Sequence, residues 1–250
     1  MTEQYESVIV SSFVLINPER KDKKITDYVK WIDEFLSLNI PKIVFIDSTI
    51  IDLFNKEYKY ATIVPCNKSE LILYEYKNNI DISNIITDNK TKDTVDYFFV
   101  QCSKIEWIRK AIEKNNNYNQ YIWMDIGIRN ICPSISTVEF ENLIKNMLTK
   151  KYDMIRMPTI WDPSILLNNE YNKNINLEKI NWFFAGGIVG GPKHLMIAFS
   201  KIMYETVQKL IIEYKTLFWE VNVYILIYKT LSNIFSPYNC DHDISMMVNY

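Results

Sequence analysis

The chain is expected to fold as an α/β protein, a mostly parallel mixed sheet flanked by helices. Three observations point there. Residues 7–66 read as strand, helix, strand, strand. Their apolar runs are continuous and β-branched, as strands buried on both faces are. Helical patterns then keep alternating with short apolar runs, the sign of helices packed on a sheet. A length of 250 residues suits one large domain over 1–250, ample for a real core.

The elements follow in order. SVIVSSFVLI (7–16) is the first strand. ITDYVKWIDEFLSL carries Ile25, Tyr28, Ile32, Phe35 and Leu36 at helical spacing. PKIVFID (41–47) and ATIVPC (61–66) are the next two strands, and residues 67–96, polar and rich in Asn, Asp and Lys, read as loops. SKIEWIRKAIEKN (103–115) opens with a capping box, Ser103 and Glu106, and runs into a strand ending at Asp125. STVEFENLIKNMLTKK (136–151) repeats the box with Ser136 and Glu139. YDMIRMP is a short strand, PSILLNNEYNKNINLEK a loop, and INWFFAGGIVGG strand-like on both sides of its glycines. Pro192 opens a helix to about Tyr214, with His194 in its first turn, and FWEVNVYILIYKTLS is the last helix. No fixed-period repeat or linker divides the chain.

Composition excludes several classes. A formal net charge of −2 supplies no global basic field for nucleic acid. The basic cluster ERKDKK (19–24) is broken by acids and reads as a solvated loop. No apolar run approaches the ~18 residues of a membrane span, and MTEQYESVIV lacks the pattern of a signal peptide. Cys66, Cys102, Cys132 and Cys240 form no C-x-x-C pair, which suits buried free thiols. A cytoplasmic location is expected, host cytoplasm for a viral member.

Glycine is scarce and concentrated. The chain has five, where average usage would give roughly 17. Four flank Ile188 and Val189 in AGGIVGG, and the fifth, Gly127, follows Asp125 in YIWMDIGIRN. The spacing fits neither G-x-G-x-x-G nor a Walker motif, so a dinucleotide or P-loop site is not expected. Glycine pairs in a strand pattern mark a bend or a place where a ligand abuts the backbone. Asp125, at a strand end, either caps a turn or holds a divalent cation, and Gly127 either supplies a positive φ or admits a ligand.

SKIEWIRKAIEKN, YIWMDIGIRN, FFAGGIVGGPK and WEVNVYIL together resemble the HtrL/YibB-type family of bacterial and giant-virus proteins. That family is similar to glycosyltransferases of the GT-A, or nucleotide-diphospho-sugar transferase, fold, and the likeness runs from about Val8 to Asn222. Its most specific part is Ser103-Lys104, a helix, then Trp123-Met124-Asp125-x-Gly127-Ile128-x-Asn130. The resemblance implies transfer of a sugar from a nucleotide-diphosphate donor, UDP-sugar favoured, to a glycan, protein or lipid-linked acceptor. It implies that Ser11 to Phe13 line the base and ribose, and that Asp47 accepts from the uracil or ribose. Lys104 would approach the donor phosphates or sugar, Asp125 would hold Mn²⁺ or Mg²⁺, and Gly186 and Gly187 would wall the sugar and acceptor. Glu220 would be a catalytic base or orient the acceptor.

One departure bears on the metal. The second acid of a D-x-D motif is Gly127 here, which leaves ion binding weaker, water-mediated or absent. His242, between Asp241 and Asp243, offers a replacement ligand, against the simpler alternative of a solvated tail. Two rival functions stand beside the transferase. A nucleotidyltransferase would show a basic glycine-rich loop after the first strand, where SSFVLINPERK has no glycine. A non-catalytic nucleotide-sugar-binding module would keep the fold and lose the metal site, which the missing acid favours and Lys104 with Asp125 opposes.

Overall fold

The protein is described by a computed structural model for residues 5–16, 24–85, 87, 89–168 and 176–250. The ERKDKK cluster, apart from Lys24, and residues 169–175 of the expected loop lie outside these residues. Among the described residues seven strands, β1 (Ser7–Phe13), β2 (Lys42–Asp47), β3 (Ala61–Cys66), β4 (Gln120–Met124), β5 (Ile155–Thr159), β6 (Ile188–Pro192) and β7 (Phe235–Asn239), make one sheet in the order β3-β2-β1-β4-β6-β5-β7. Only β6 runs against its neighbours, antiparallel to both β4 and β5. The other pairings are parallel.

Strand side chains alternate between two cores. Val8, Val10, Ile43, Phe45, Tyr121 and Trp123 point into one. Ile9, Val44, Ile46, Ile122 and Met124 point into the other. That period of two is why the central strands are apolar throughout: both faces are covered. The first core is closed by α2 (Val95–Cys102), α3 (Lys104–Lys114), α5 (Lys193–Tyr214) and α6 (Glu220–Leu231). The second is closed by α1 (Ile25–Ser37), α4 (Thr137–Thr149) and α7 (Ser245–Val248). In α1 the expected stripe buries Ile32, Phe35 and Leu36, each worth about 1.5–3 kcal/mol when removed from water. Tyr28, on the same helix, is left to border a cavity.

The two expected capping boxes part company. At α4 the Ser136 hydroxyl accepts from the Glu139 N–H (3.2 Å), and Glu139 accepts from the Ser136 N–H (2.8 Å). At Ser103 no box forms. Helix α2 runs almost directly into α3, so the Ser103 N–H is already held by the carbonyls of Phe99 and Val100. Glu106 has no free donor to reach back to and accepts instead from the Ile72 N–H at 3.2 Å.

Other boundaries shift for similar reasons. The first strand stops at Phe13, not residue 16, because Asp47 draws the Leu15 N–H out of the ladder (3.0 Å). The AGGIVGG region is strand only from Ile188, with a turn at Gly186 and Gly187. Helix α2 begins at the end of the segment expected to be loop and continues to Cys102, over residues for which no element was expected, and β7 and α7 order the chain's last stretch. No glycine adopts a positive φ, so the expectation for Gly127 (φ −90°) is corrected. The second glycine pair answers to packing. A Cβ on Gly190 would lie 2.9 Å from the Ile122 Cα, and one on Gly191 would lie 3.1 Å from the Ile155 Cα. All four cysteines are buried and unpaired. Among the described residues no helix is long and apolar enough to cross a membrane.

Candidate active site

Strands β1 and β4 lie side by side and end at the same edge of the sheet. Chains leaving parallel strands diverge there, and a crevice opens. In this protein it is a cavity of about 570 Å³. Ser12 to Ile16, leaving β1, form one wall, and Tyr28 and Trp31 of α1 continue it. Tyr97, Trp182 and Trp219 supply further aromatic surface. Phe13 packs on Tyr28 and Tyr28 on Trp31, with ring centroids 5.0 and 5.5 Å apart.

The cavity also touches a buried charge cluster. Lys104, the first residue of α3, is 3% exposed. Its ammonium donates to Glu220 Oε1 at 2.9 Å, to the Gly186 carbonyl at 3.0 Å and to Asp125 Oδ2 at 3.2 Å. Three acceptors match the three hydrogens of an ammonium group. Asp125 Oδ1 also accepts from the Trp123 indole N–H at 2.6 Å. Burial alone would pull Lys104 down, but Asp125 and Glu220 together push it above its ordinary value, so it stays charged. Burial pushes the Asp125 carboxyl up, against the pull of Lys104 and the indole. The Asp125 side chain still keeps 37% of its surface, and it lines the cavity. One ammonium between two carboxylates leaves the cluster with one negative charge in excess.

Gly186 makes the cluster possible. A Cβ there would collide with the Glu220 carboxylate and lie 3.3 Å from Lys104 Nζ. Gly187 fixes Asp125 through its carbonyl, which accepts the Asp125 N–H at 2.9 Å. A Cβ on Gly187 would meet Ile128 at 2.8 Å and Met246 at 3.0 Å. The first close neighbours of both glycines are therefore protein side chains. Both residues still border the cavity.

Three further expectations change. Ser11 is fully buried within β1 and does not reach the cavity, whereas Ser12 and Phe13 do, because only the end of the strand is uncovered. Asp47 lies outside the lining and its oxygens are taken by the Leu15 N–H and by the N–H and hydroxyl of Thr49. Its carboxylate ties β2 to the loop that walls the cavity instead of meeting a base or ribose. Lys104 has no hydrogen left for a phosphate, so its expected contact with the donor gives way to an internal one.

His242 does arrive at the cavity. The segment after β7 carries it there, and its ring meets the Trp182 ring edge-on at 4.3 Å. Burial lowers its pKa, with Asp241 opposing. As a metal centre the donor set is a poor fit. Among the described residues no three His, Cys, Asp or Glu side chains converge as an ion site, and the Asp125 oxygens already carry the ammonium and the indole.

Sequence reasoning passed over Lys92, Tyr97, Trp182 and Trp219, all of which line the cavity. The first two had a signal. Thr94 caps α2 by accepting from the Tyr97 N–H, and Phe98, Phe99 and Cys102 follow at helical spacing. The two tryptophans had none, because they sit at loop ends that only the fold brings together.

The described residues form a mixed seven-stranded sheet with helices on both faces and one reversed strand. No family model matches the chain, and no curated protein matches its sequence. Solved structures similar to it include mouse xyloside xylosyltransferase 1 in its apo form, at 12% identity over 94% of this chain and 85% of that one, with a TM-score of 0.44. Another is the galactosyltransferase LgtC in complex with donor and acceptor sugar analogues, at 9% identity over 93% and 73%, TM-score 0.47. A third is CMP:2-keto-3-deoxy-manno-octonic acid synthetase complexed with CTP, at 11% identity over 94% and 89%, TM-score 0.42.

Proposed function

We propose that this chain is a nucleotide-sugar-dependent glycosyltransferase of the HtrL/YibB type, with a UDP-sugar as the favoured donor and a glycan, protein or lipid-linked acceptor. The observation that carries the reading is the pairing of Asp125 and Glu220 on one buried ammonium, at the edge of an aromatic-walled cavity beyond the ends of β1 and β4. Such walls offer faces for a base and for sugar rings. Glu220 borders the cavity and accepts from the Lys104 ammonium at 2.9 Å, which places a carboxylate where a proton acceptor is needed. The acceptor hydroxyl would attack the anomeric carbon as its bond to the diphosphate oxygen breaks, and its proton would pass to Glu220. Lys104 acts as a positioning residue, since it donates to both carboxylates and holds them in place. Mn²⁺ or Mg²⁺ is a variable of the test, not a component of this scheme.

A thermal-shift and calorimetry screen tests the reading, since a ligand of the native state raises its stability. UDP-sugars, with and without Mn²⁺ or Mg²⁺, are expected to bind and to stabilise the protein more than NAD, ATP or S-adenosylmethionine do. Asp125→Asn keeps the side chain's size and loses its charge, and should cut donor turnover at least a hundredfold, the order seen when a preorganised electrostatic group is removed. Tight binding of NAD or S-adenosylmethionine with no binding of any UDP-sugar would end the proposal. UDP-sugar binding with turnover unchanged in Asp125→Asn would return Asp125 to a turn-capping role.

A further inference from the structure

The charge balance of the cavity raises a problem for a nucleotide diphosphate. Its inner cluster is anionic by one charge and the Lys104 ammonium is saturated by three acceptors. A pyrophosphoryl group brings further negative charge and would be repelled unless another cation meets it. Among the described residues one other lysine lines the cavity, Lys92. Its ammonium lies 5.0 Å from the Tyr97 ring centroid and 5.5 Å from that of Trp219, and both rings line the cavity too. Among the described residues its nearest carboxylate is Asp93, at 3.9 Å, an ion pair too long for a hydrogen bond. Among the described residues the Lys92 ammonium donates no hydrogen bond, so three donors stay available, and its side chain is 36% exposed.

The setting holds that ammonium in place. Two aromatic faces attract it and narrow its freedom. Asp93 is buried and bonded to the Thr87 hydroxyl, which anchors the segment just before α2. Trp219 is the residue immediately before Glu220, so Lys92 stands over the same stretch of chain that supplies the proposed base.

We propose that Lys92 is the diphosphate-binding cation of this cavity, donating from the Tyr97–Trp219 wall to the pyrophosphoryl oxygens of a nucleoside diphosphate. The proposal rests on the nucleotide-sugar reading and assigns its phosphate contact to Lys92, not Lys104. An ammonium–phosphate contact is a charge-assisted hydrogen bond, stronger than a neutral one and sensitive to salt. A cation at Lys92 would also discriminate against uncharged nucleosides.

Calorimetry on the full chain tests it with three probes, UDP, inorganic pyrophosphate and uridine, against wild type, Lys92→Gln and Lys92→Arg. Lys92→Gln should weaken UDP and pyrophosphate by about tenfold to a hundredfold, the range set by one charged hydrogen bond. Uridine affinity should not change, Lys92→Arg should restore most of the UDP affinity, and the salt dependence of UDP binding should be shallower in Lys92→Gln. Melting temperatures of the variants check that the fold is kept. Equal UDP affinity in wild type and Lys92→Gln overturns the assignment and leaves the nucleotide-sugar reading standing. A uridine affinity that falls in step with that of UDP also overturns it. Failure of wild type to bind UDP at all removes both.

Discussion

Lys42 and Lys104 are withdrawn from water to the same degree, 2% and 3% exposed, at opposite ends of one sheet. Lys42 opens β2 at the sheet's amino end, where its Nζ donates to the carbonyls of Leu38 (2.7 Å) and Ile40 (3.0 Å). Burial pushes it down to about 7, with only Glu141 opposing. Lys104 sits at the carboxyl end between two carboxylates and is pushed the other way. The desolvation penalty is common to both, so the partners decide the sign. Carbonyl oxygens accept from a neutral amine as well as from an ammonium, whereas carboxylates reward the charge. The amino end of the sheet treats a buried charge as a cost. The carboxyl end is organised around one.

Removing the charge at neutral pH should therefore cost much at the carboxyl end and little at the amino end. Lys104→Met leaves Asp125 and Glu220 facing each other without a counter-ion and should cost about 3–5 kcal/mol in urea denaturation at neutral pH. Its loss should shrink as the pH falls, because the stranded carboxylates then take up protons in the folded state. A cost below about 1 kcal/mol would mean that the cluster behaves as a solvated surface pair, and the contrast with Lys42 would fail.

Gly186→Ala probes the same end without touching a charge. Its Cβ must displace the Glu220 carboxylate, and overpacking of this kind costs about 1–3 kcal/mol. Donor turnover should fall further than that loss of stability explains, since Glu220 would leave Lys104. Kinetics and melting of the one variant separate the two effects, and normal turnover in a destabilised protein would remove Glu220 from the mechanism.

At neutral pH the smallest effect belongs to Lys42→Met. With a folded pKa near 7 and an ordinary value of 10.5, the folded protein binds fewer protons than the unfolded chain between those two pH values. Wild-type stability should then rise with pH across that window, by up to roughly 1.4 kcal/mol per pH unit, and be lost as pH falls through 7. Lys42→Met lacks that slope, so the two denaturation midpoints should draw apart in favour of wild type between pH 7 and about 10. Parallel curves would mean that Lys42 stays charged, and the two lysines would no longer differ.

Much of the frame was legible along the chain. Continuous β-branched runs announced the central strands, because strands covered on both faces need apolar residues at every position. Asp125 and Lys104 stood out through their segments, and the scarcity of glycine drew attention to Gly186. The Ser103 box misled because a local motif assumes a free helix start, and α2 had already taken the donor. Asp47 misled likewise, since a carboxylate at a strand end looks the same in sequence whether it meets a ligand or a loop. Strand β7 and helix α7 were missed because short, half-polar segments such as FSPYN take their structure from the edge they join.

The sequence by itself determined the class of fold, the helix and strand periods and the identity of the charged residues, since these depend on neighbours a few positions apart. Tertiary structure decided what those charges do. Lys104, Asp125, Gly186 and Glu220 are far apart in the chain and meet within about 3 Å, and Lys92 faces their cavity from a segment that reads as loop. Electrostatic interaction falls off with distance and depends on what surrounds the charges, so neither the saturation of Lys104 nor the availability of Lys92 exists until the chain has folded around them.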